Sequence, residues 1–149
     1  MLNKKIELSE IQKGIYFECQ TGEKNNYNIS AAIKINNELD IAKFEKALQM
    51  LVNEQAALRS HIELLDGSLS MVINEEVDAA VHYDDVSKEH HKKSIDEIVN
   101  EEVGYEFNLS KAPLFRVSLN KEDKNIFILV LNLHHIIADG VSLDIFIKK

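Results

Sequence analysis

The feature that most constrains the fold of this chain is a strand-length run at positions 126–135, IFILVLNLHH. Side chains alternate between the two faces of a strand, and here large apolar residues fall on both faces. Such a strand belongs inside a sheet that is covered on both sides. The apolar part, 126–133, is far shorter than the ~20 residues that a membrane-spanning helix needs. The run therefore predicts the centre of a buried sheet.

Two histidines end this run, and the strand period assigns them to opposite faces. One face is Ile126, Ile128, Val130, Asn132 and His134, and the other is Phe127, Leu129, Leu131, Leu133 and His135. The pattern thus places His135 beside four large apolar side chains, where a neutral imidazole needs a specific partner.

The rest of the chain predicts a mixture of helices and strands. A capping box at Ser9 and Gln12 begins a first helix, and Asp40 caps a second that continues to about Leu58. A third helix is expected after Ser87, interrupted by Gly104. Strands are expected at 27–35, at 80–85, in a hairpin over 60–74 that turns at Asp66-Gly67, and in a hairpin over 113–135 that turns at 121–125. This order predicts an α+β fold. A last helix is expected to begin near Ser142 and would stop after two turns, so the sequence is expected to be a piece of a longer protein.

Charge and cysteine content narrow the classes of function. The net charge is −8, from 17 basic and 25 acidic residues, and neither half is basic, which argues against a nucleic-acid partner. The one cysteine, Cys19, cannot form an internal disulfide and is interpreted as an inert buried thiol. Together with the absence of a signal-peptide pattern, it favours the cytoplasm.

The residues at 134–142 allow several kinds of site. His134 and His135 are either structural histidines at a strand end or part of a reaction site. A metal site formed with Asp139 has little support, because adjacent histidines on a strand point in opposite directions. Ser142 lacks the G-x-S-x-G pattern of a nucleophile and is interpreted as a helix cap. A base without a protein nucleophile favours transfer between two bound substrates. The other histidines are expected to be solvated or isolated: His61, His82, His90 and His91.

Four segments then identify a resemblance. HHIIADG (134–140) resembles the HHxxxDG motif of the condensation domains of nonribosomal peptide synthetases, which are chloramphenicol-acetyltransferase-like acyltransferases. LSEIQKGIYF (8–17) resembles the LSxxQ motif of that family, ALRSHI (57–62) the end of RHExLRTxF, and YEFNLSKAPLFRVSL (105–119) the segment PFDLxxGPLLRxxL. Two departures are Glu-Gln-Ala at 54–56 in place of Arg-His-Glu, and Glu106 in place of the proline.

The resemblance implies a fold and a set of site residues. Residues 1–149 would form the N-terminal lobe of the domain, a mixed β-sheet with helices packed on it, with the second lobe absent from this chain. His135 would be the catalytic histidine and His134 a structural one. Asp139 would hold the motif by pairing with Arg59, since each charge is costly to bury alone, and Gly140 would leave room for the substrate.

The same resemblance implies the chemistry. An amide would form between a carrier-bound acyl or peptidyl thioester and the α-amine of a carrier-bound amino acid, in the synthesis of a peptide such as an antibiotic. Substrates would arrive on the phosphopantetheine of carrier proteins, and the lobe would bind no cofactor or metal. The partners would be those carrier domains and the C-terminal lobe, and the lobe alone is expected to be inactive and to self-associate. An epimerisation domain and a non-catalytic docking module remain alternatives.

Overall fold

The computed structural model describes residues 3–22, 26–88 and 91–138. Asp139, Gly140, Ser142 and the helix expected after them lie outside the described residues. In chain order the elements are β1 (Lys4–Glu7), α1 (Glu10–Thr21), β2 (Asn28–Ile35), α2 (Ile41–Glu54), a 3-10 turn (Ala56–Arg59), β3 (Ser60–Leu65), β4 (Ser68–Ile73), β5 (Val81–Asp85), α3 (Ile95–Val103), β6 (Phe115–Asp123) and β7 (Ile126–His134).

The strands form two sheets, and the larger one is mixed. It has the order β2-β7-β6-β5, in which β5 runs parallel to β6 and the other pairs are antiparallel. The smaller sheet has the order β1-β4-β3 and is antiparallel throughout. The expected α+β fold with a mixed sheet is confirmed.

The run 126–134 forms β7, the central strand that the sequence predicted. Its odd-numbered side chains pack with α2 in one apolar cluster, which includes Leu48 and Val52. Its other face lies under α3, where Asn132 Nδ2 donates to the Glu102 carbonyl oxygen at 2.8 Å. The sheet is therefore covered on both sides, as the two-faced apolar pattern requires.

A second apolar cluster joins the smaller sheet to helix α1. Ile15 and Cys19 are the buried residues of α1, and they lie in one cluster with Ile62 of β3 and with Ile136, which follows β7. The cluster therefore brings the end of the central strand against α1. No helix in the described ranges is both long enough and apolar enough to cross a membrane.

Two predicted helix boundaries were wrong, for identifiable reasons. The helix from Asp40 ends at Glu54 rather than near Leu58. Arg59 folds back so that its Nε donates to the Val52 carbonyl oxygen at 3.2 Å, which satisfies an acceptor that the helix end leaves unpaired. The third helix begins after Ser94 rather than after Ser87, because Ser94 and Glu97 form a capping box.

This second boundary also changes the surroundings of His91, which was expected on a charged helix. His91 lies before α3, with its Nε2 2.7 Å from the Asp84 carboxylate, and that hydrogen bond raises the pKa of the imidazole. Its neighbour His90 lies outside the described residues.

Two glycines provide a paired test of the backbone. Gly67 has φ +80° in the β3–β4 turn, beside Asp66 at φ 50°, as a type I′ hairpin turn requires. Gly14 lies inside α1 with open space around its missing Cβ. We expect Gly67→Ala to lower the free energy of unfolding of the chain by about 1 kcal/mol, and Gly14→Ala to raise it by about 0.5–1 kcal/mol. Urea denaturation measures both, and changes of equal sign would contradict the assigned backbone.

Candidate functional site

The two histidines lie in different environments because β7 ends between them. His134 is the last residue of the strand and is 0% exposed. His135 begins a turn and its side chain is exposed, while its backbone N–H donates to the Tyr27 carbonyl oxygen at 2.7 Å. The expectation that His135 continues the apolar face of the strand is therefore wrong. The alternation is interrupted one residue earlier, where the chain turns out of the sheet.

The His134 ring is held by both of its nitrogens. Its Nδ1 accepts from the backbone N–H of Ile136 at 3.1 Å, so a neutral ring carries its proton on Nε2. That nitrogen lies 3.6 Å from the Cys19 sulfur, and the Phe107 ring meets the imidazole edge-on at 6.1 Å between centroids. Burial, and secondarily the nearby His135, lowers the pKa of His134 to about 4. His134 is thus neutral near pH 7.

This arrangement is the one that a structural histidine needs, and the structural role of His134 stays a prediction. Its one ring-nitrogen lone pair accepts from the Ile136 N–H, so the neutral ring presents no open nitrogen to a substrate or to a metal ion. In the part of the chain that the structure describes, no three His, Cys, Asp or Glu side chains are grouped to hold a metal. The third ligand of the metal hypothesis, Asp139, lies outside that part.

His135 has the properties that a reacting imidazole needs. Its side chain is exposed, and it directly follows the central strand β7. The imidazole and the Tyr27 ring form an edge-to-face pair, with ring centroids 6.5 Å apart and an interplanar angle of 85°. Its assignment as the catalytic residue stays a prediction that this geometry allows.

Cys19 lies between helix α1 and the buried histidine. It is a free, buried cysteine, and burial raises the pKa of its thiol. Its sulfur faces the proton-bearing nitrogen of His134 and so acts as a weak acceptor. A cavity of about 260 Å³ opens beside the two side chains and is also bounded by Phe107 and Leu109.

Gln12 connects the start of helix α1 to the turn after β7. The predicted capping box is confirmed, with Gln12 Oε1 accepting from the Ser9 N–H at 3.0 Å. The same amide donates through Nε2 to the Ile136 carbonyl oxygen at 2.9 Å. Sequence reasoning assigned Gln12 a cap alone, because the second contact spans 124 residues. A capping box accepts either glutamate or glutamine at this position. The choice of glutamine, whose amide can also donate, was the one signal in the sequence for the second contact.

Arg59 binds backbone carbonyl oxygens and forms no ion pair with a carboxylate of the described residues. Its guanidinium donates to the carbonyl oxygens of Val52, Asn74 and Glu75 at 3.2, 2.6 and 3.1 Å. The predicted pairing with Asp139, and the predicted role of Gly140, fall on residues outside the described ranges.

The remaining described histidines do not join this site. His61 is buried, with Nε2 2.8 Å from a Glu63 carboxylate oxygen, and His82 accepts from Arg116 Nη1 at 3.0 Å. These two histidines were expected from the sequence to be isolated. Each instead has a side-chain partner elsewhere in the fold.

The fold matches solved structures of one class. The starter condensation domain of rhizomide synthetase superposes with a TM-score of 0.87 at 23% identity, over 97% of this chain and 36% of that one. A four-domain nonribosomal peptide synthetase gives 0.87 at 17% identity, over 99% of this chain and 11% of that one. The fold is thus that of condensation domains.

Sequence comparison then identifies the family. The model of the condensation domain family matches residues 2–149, and the chain belongs to that family. It is 35% identical to bacitracin synthase 1 of Bacillus licheniformis over 142 residues and 34% identical to gramicidin S synthase 2 of Aneurinibacillus migulanus over 143 residues. Each match covers 95% of this chain, which spans about 3% of the length of these curated relatives.

Replacing Gln12 by glutamate separates its two roles. Gln12→Glu keeps the acceptor for the Ser9 N–H but places a carboxylate against the Ile136 carbonyl oxygen, so we expect the free energy of unfolding to fall by about 1–2 kcal/mol. Urea denaturation of the 149-residue chain measures the change. Glu97→Gln is the matched control, because Glu97 holds the same position in the capping box of α3. An unchanged stability in Gln12→Glu would show that the Ile136 contact contributes nothing.

The low pKa of His134 predicts a pH-dependent stability. Between its unfolded value of about 6.5 and its folded value of about 4, the unfolded chain binds more protons, so stability falls as pH falls through this window. The loss of stability reaches about 3 kcal/mol by pH 4.

The variant His134→Asn tests this prediction. It keeps an acceptor near the position of Nδ1 and should flatten the dependence of stability on pH. His91→Asn is the control of opposite sign, because the pKa of His91 is raised. Parallel profiles for wild type and His134→Asn, measured by urea denaturation from pH 7 to pH 4, would rule out the buried neutral ring.

Proposed function

We propose that this chain is the N-terminal lobe of a nonribosomal peptide synthetase condensation domain whose reacting imidazole is His135. The observation that carries the proposal is the contrast between the two histidines: His134 is buried with both nitrogens engaged, while the His135 side chain is exposed at the end of the central strand. Membership of the condensation family supports the reaction type.

The proposed reaction joins two carrier-bound substrates. The α-amine of the acceptor attacks the carbonyl carbon of the donor thioester, and the amine nitrogen then loses a proton to His135. The carbon–sulfur bond breaks as the amide forms, and the thiolate takes up a proton to leave as the thiol of the donor's phosphopantetheine. A thiol with a pKa near 8.5 is a good leaving group, and an α-amine near 7.7–8.0 is substantially nucleophilic, so the proton on nitrogen is the main difficulty.

His135 can contribute in two ways. As a general base it would supply roughly 10²–10⁴-fold. It can also orient the amine and stabilise the charged intermediate, while the two tethered substrates gain from being held together. Both roles need an exposed imidazole on a rigid support, and neither needs a cofactor or metal bound by this lobe.

The proposal assigns the second half of the site to a separate lobe. This chain covers 36% of the rhizomide starter domain, and a C-terminal lobe would close the site and help to receive the carrier domains. We propose that the 149 residues alone are inactive and self-associate through apolar surface. Exposed side chains such as Ile11 at 76% and Phe17 at 61% support that part of the proposal. A cytoplasmic location completes the proposal, supported by the free thiol of Cys19.

We expect His135→Ala to lower amide formation by at least about 10²-fold in the condensation domain that contains this chain, because the proton acceptor is removed. The assay uses carrier-bound donor and acceptor substrates and measures peptide release, and His91→Ala is the matched histidine control. Carrier binding should be unchanged, which distinguishes an enzyme from a docking module. Full amide formation in His135→Ala, or exchange of the α-hydrogen without amide formation in the wild type, would contradict the proposal.

A further inference from the structure

We propose that Tyr27 is a positioning residue that holds the His135 imidazole in its reactive orientation. The inference rests on the proposed role of His135 and extends it to a residue outside the four sequence motifs. Tyr27 lies immediately before β2, and His135 lies immediately after β7, so the ends of two paired strands bring them together.

The backbone contact fixes the position of His135. Asn28 is paired with His134 in the β2–β7 register, and the His135 N–H then donates to the Tyr27 carbonyl oxygen at 2.7 Å. This bond extends the antiparallel ladder by one residue beyond the strand. The Cα of His135 is therefore fixed by the sheet, although its side chain is exposed.

The ring contact restricts the orientation of the imidazole. The two rings meet at 85° with centroids 6.5 Å apart, within the range in which edge-to-face pairs are favourable. An exposed imidazole without such a contact would sample several rotamers and pay the entropy of ordering when substrate binds. A small displacement of a reacting group lowers rates strongly, so a contact that selects one rotamer contributes to the rate.

Tyr27 is itself held by helix α1. Its hydroxyl donates to the Glu18 carboxylate, in the last turn of the helix, and its ring packs against the apolar cluster that contains Cys19. The hydrogen bond to Glu18, followed by burial, raises the pKa of Tyr27, so the phenol remains a donor at neutral pH. The position of α1 is thus transmitted through Tyr27 to the exposed histidine.

Kinetics of the condensation domain that contains this chain test the proposal. We expect Tyr27→Leu to lower kcat by about 10-fold with KM changed less than twofold, from the loss of an edge-to-face contact. Tyr27→Phe keeps the ring and should restore kcat to within about threefold of wild type. Tyr16→Leu is the matched control, because Tyr16 also packs on this cluster but pairs with Phe17 at 5.7 Å. Equal losses of kcat in Tyr16→Leu and Tyr27→Leu would overturn the proposal.

A spectroscopic measurement separates this inference from the proposed function. In ring-labelled protein, the His135 signal is assigned by its loss in His135→Ala. Tyr27→Leu should shift it more than Tyr16→Leu does, whereas Tyr27→Phe should leave it near the wild-type position. An unmoved signal in Tyr27→Leu defeats the positioning role, whatever the enzyme catalyses. A shifted signal together with undiminished amide formation in His135→Ala defeats the proposed function and leaves the contact established.

Discussion

The site depends on the burial of one strand, β7, in the middle of the larger sheet. Its backbone pairs with β2 and β6, and its side chains are covered by α2 on one face and by α3 on the other. The last residue of such a strand is desolvated, which is why burial lowers the pKa of His134 to about 4 and why both of its nitrogens need partners inside the protein. One residue later the chain leaves the sheet, and the His135 side chain is exposed. Two adjacent histidines thus differ in chemistry because a covered strand ends between them.

Helix α1 joins this strand end to the smaller sheet through contacts with different atoms. Gln12 donates to the carbonyl oxygen of Ile136, Cys19 faces Nε2 of His134, and Glu18 accepts from the hydroxyl of Tyr27. Gln12 and Cys19 are seven residues apart, so they lie on one side of the helix, two turns from each other. The amide serves the helix cap and the turn at once, which a carboxylate at the same position cannot do, because it lacks a donor. The opening segment of the chain is therefore part of the support of the site as well as a helix start.

Local patterns predicted the elements whose cause is local. The two-faced apolar run defined β7, Asp66-Gly67 defined the hairpin, and Ser9 defined the start of α1. Local patterns did not predict a helix boundary correctly where two local signals competed. Ser87 and Ser94 could both begin a helix, but the Ser87 hydroxyl is bound to the Asp85 carboxylate, whereas Ser94 has Glu97 three residues on.

Long-range contacts set the features of the site that the sequence did not predict. Strand alternation assigns faces but does not say where a strand stops, so it placed the wrong histidine among apolar side chains. The break of helix α2 and the second bond of Gln12 depend on partners that the fold brings close. Arg59 reaches back to Val52, and Gln12 meets Ile136 across 124 residues.

The register of β7 decides which of the two histidines is exposed. Polar groups on the face of the sheet that α3 covers, some distance from the turn, help to fix that register. Asn132 accepts from the Ser30 hydroxyl at 2.9 Å and donates to the Glu102 carbonyl oxygen at 2.8 Å, and Arg116 binds the Glu102 carboxylate at 2.5 Å. A one-residue slip of β7 would turn Asn132 into the apolar cluster beneath α2, with no partner for its amide. It would also move each histidine by one position, so that either His135 would take the enclosed place of His134 or His134 would take the exposed place of His135. An unpaired buried amide is costly, whereas the apolar residues of β7 tolerate either face. The polar network therefore favours the register in which β7 ends at His134, with His134 enclosed and His135 exposed beyond the strand end.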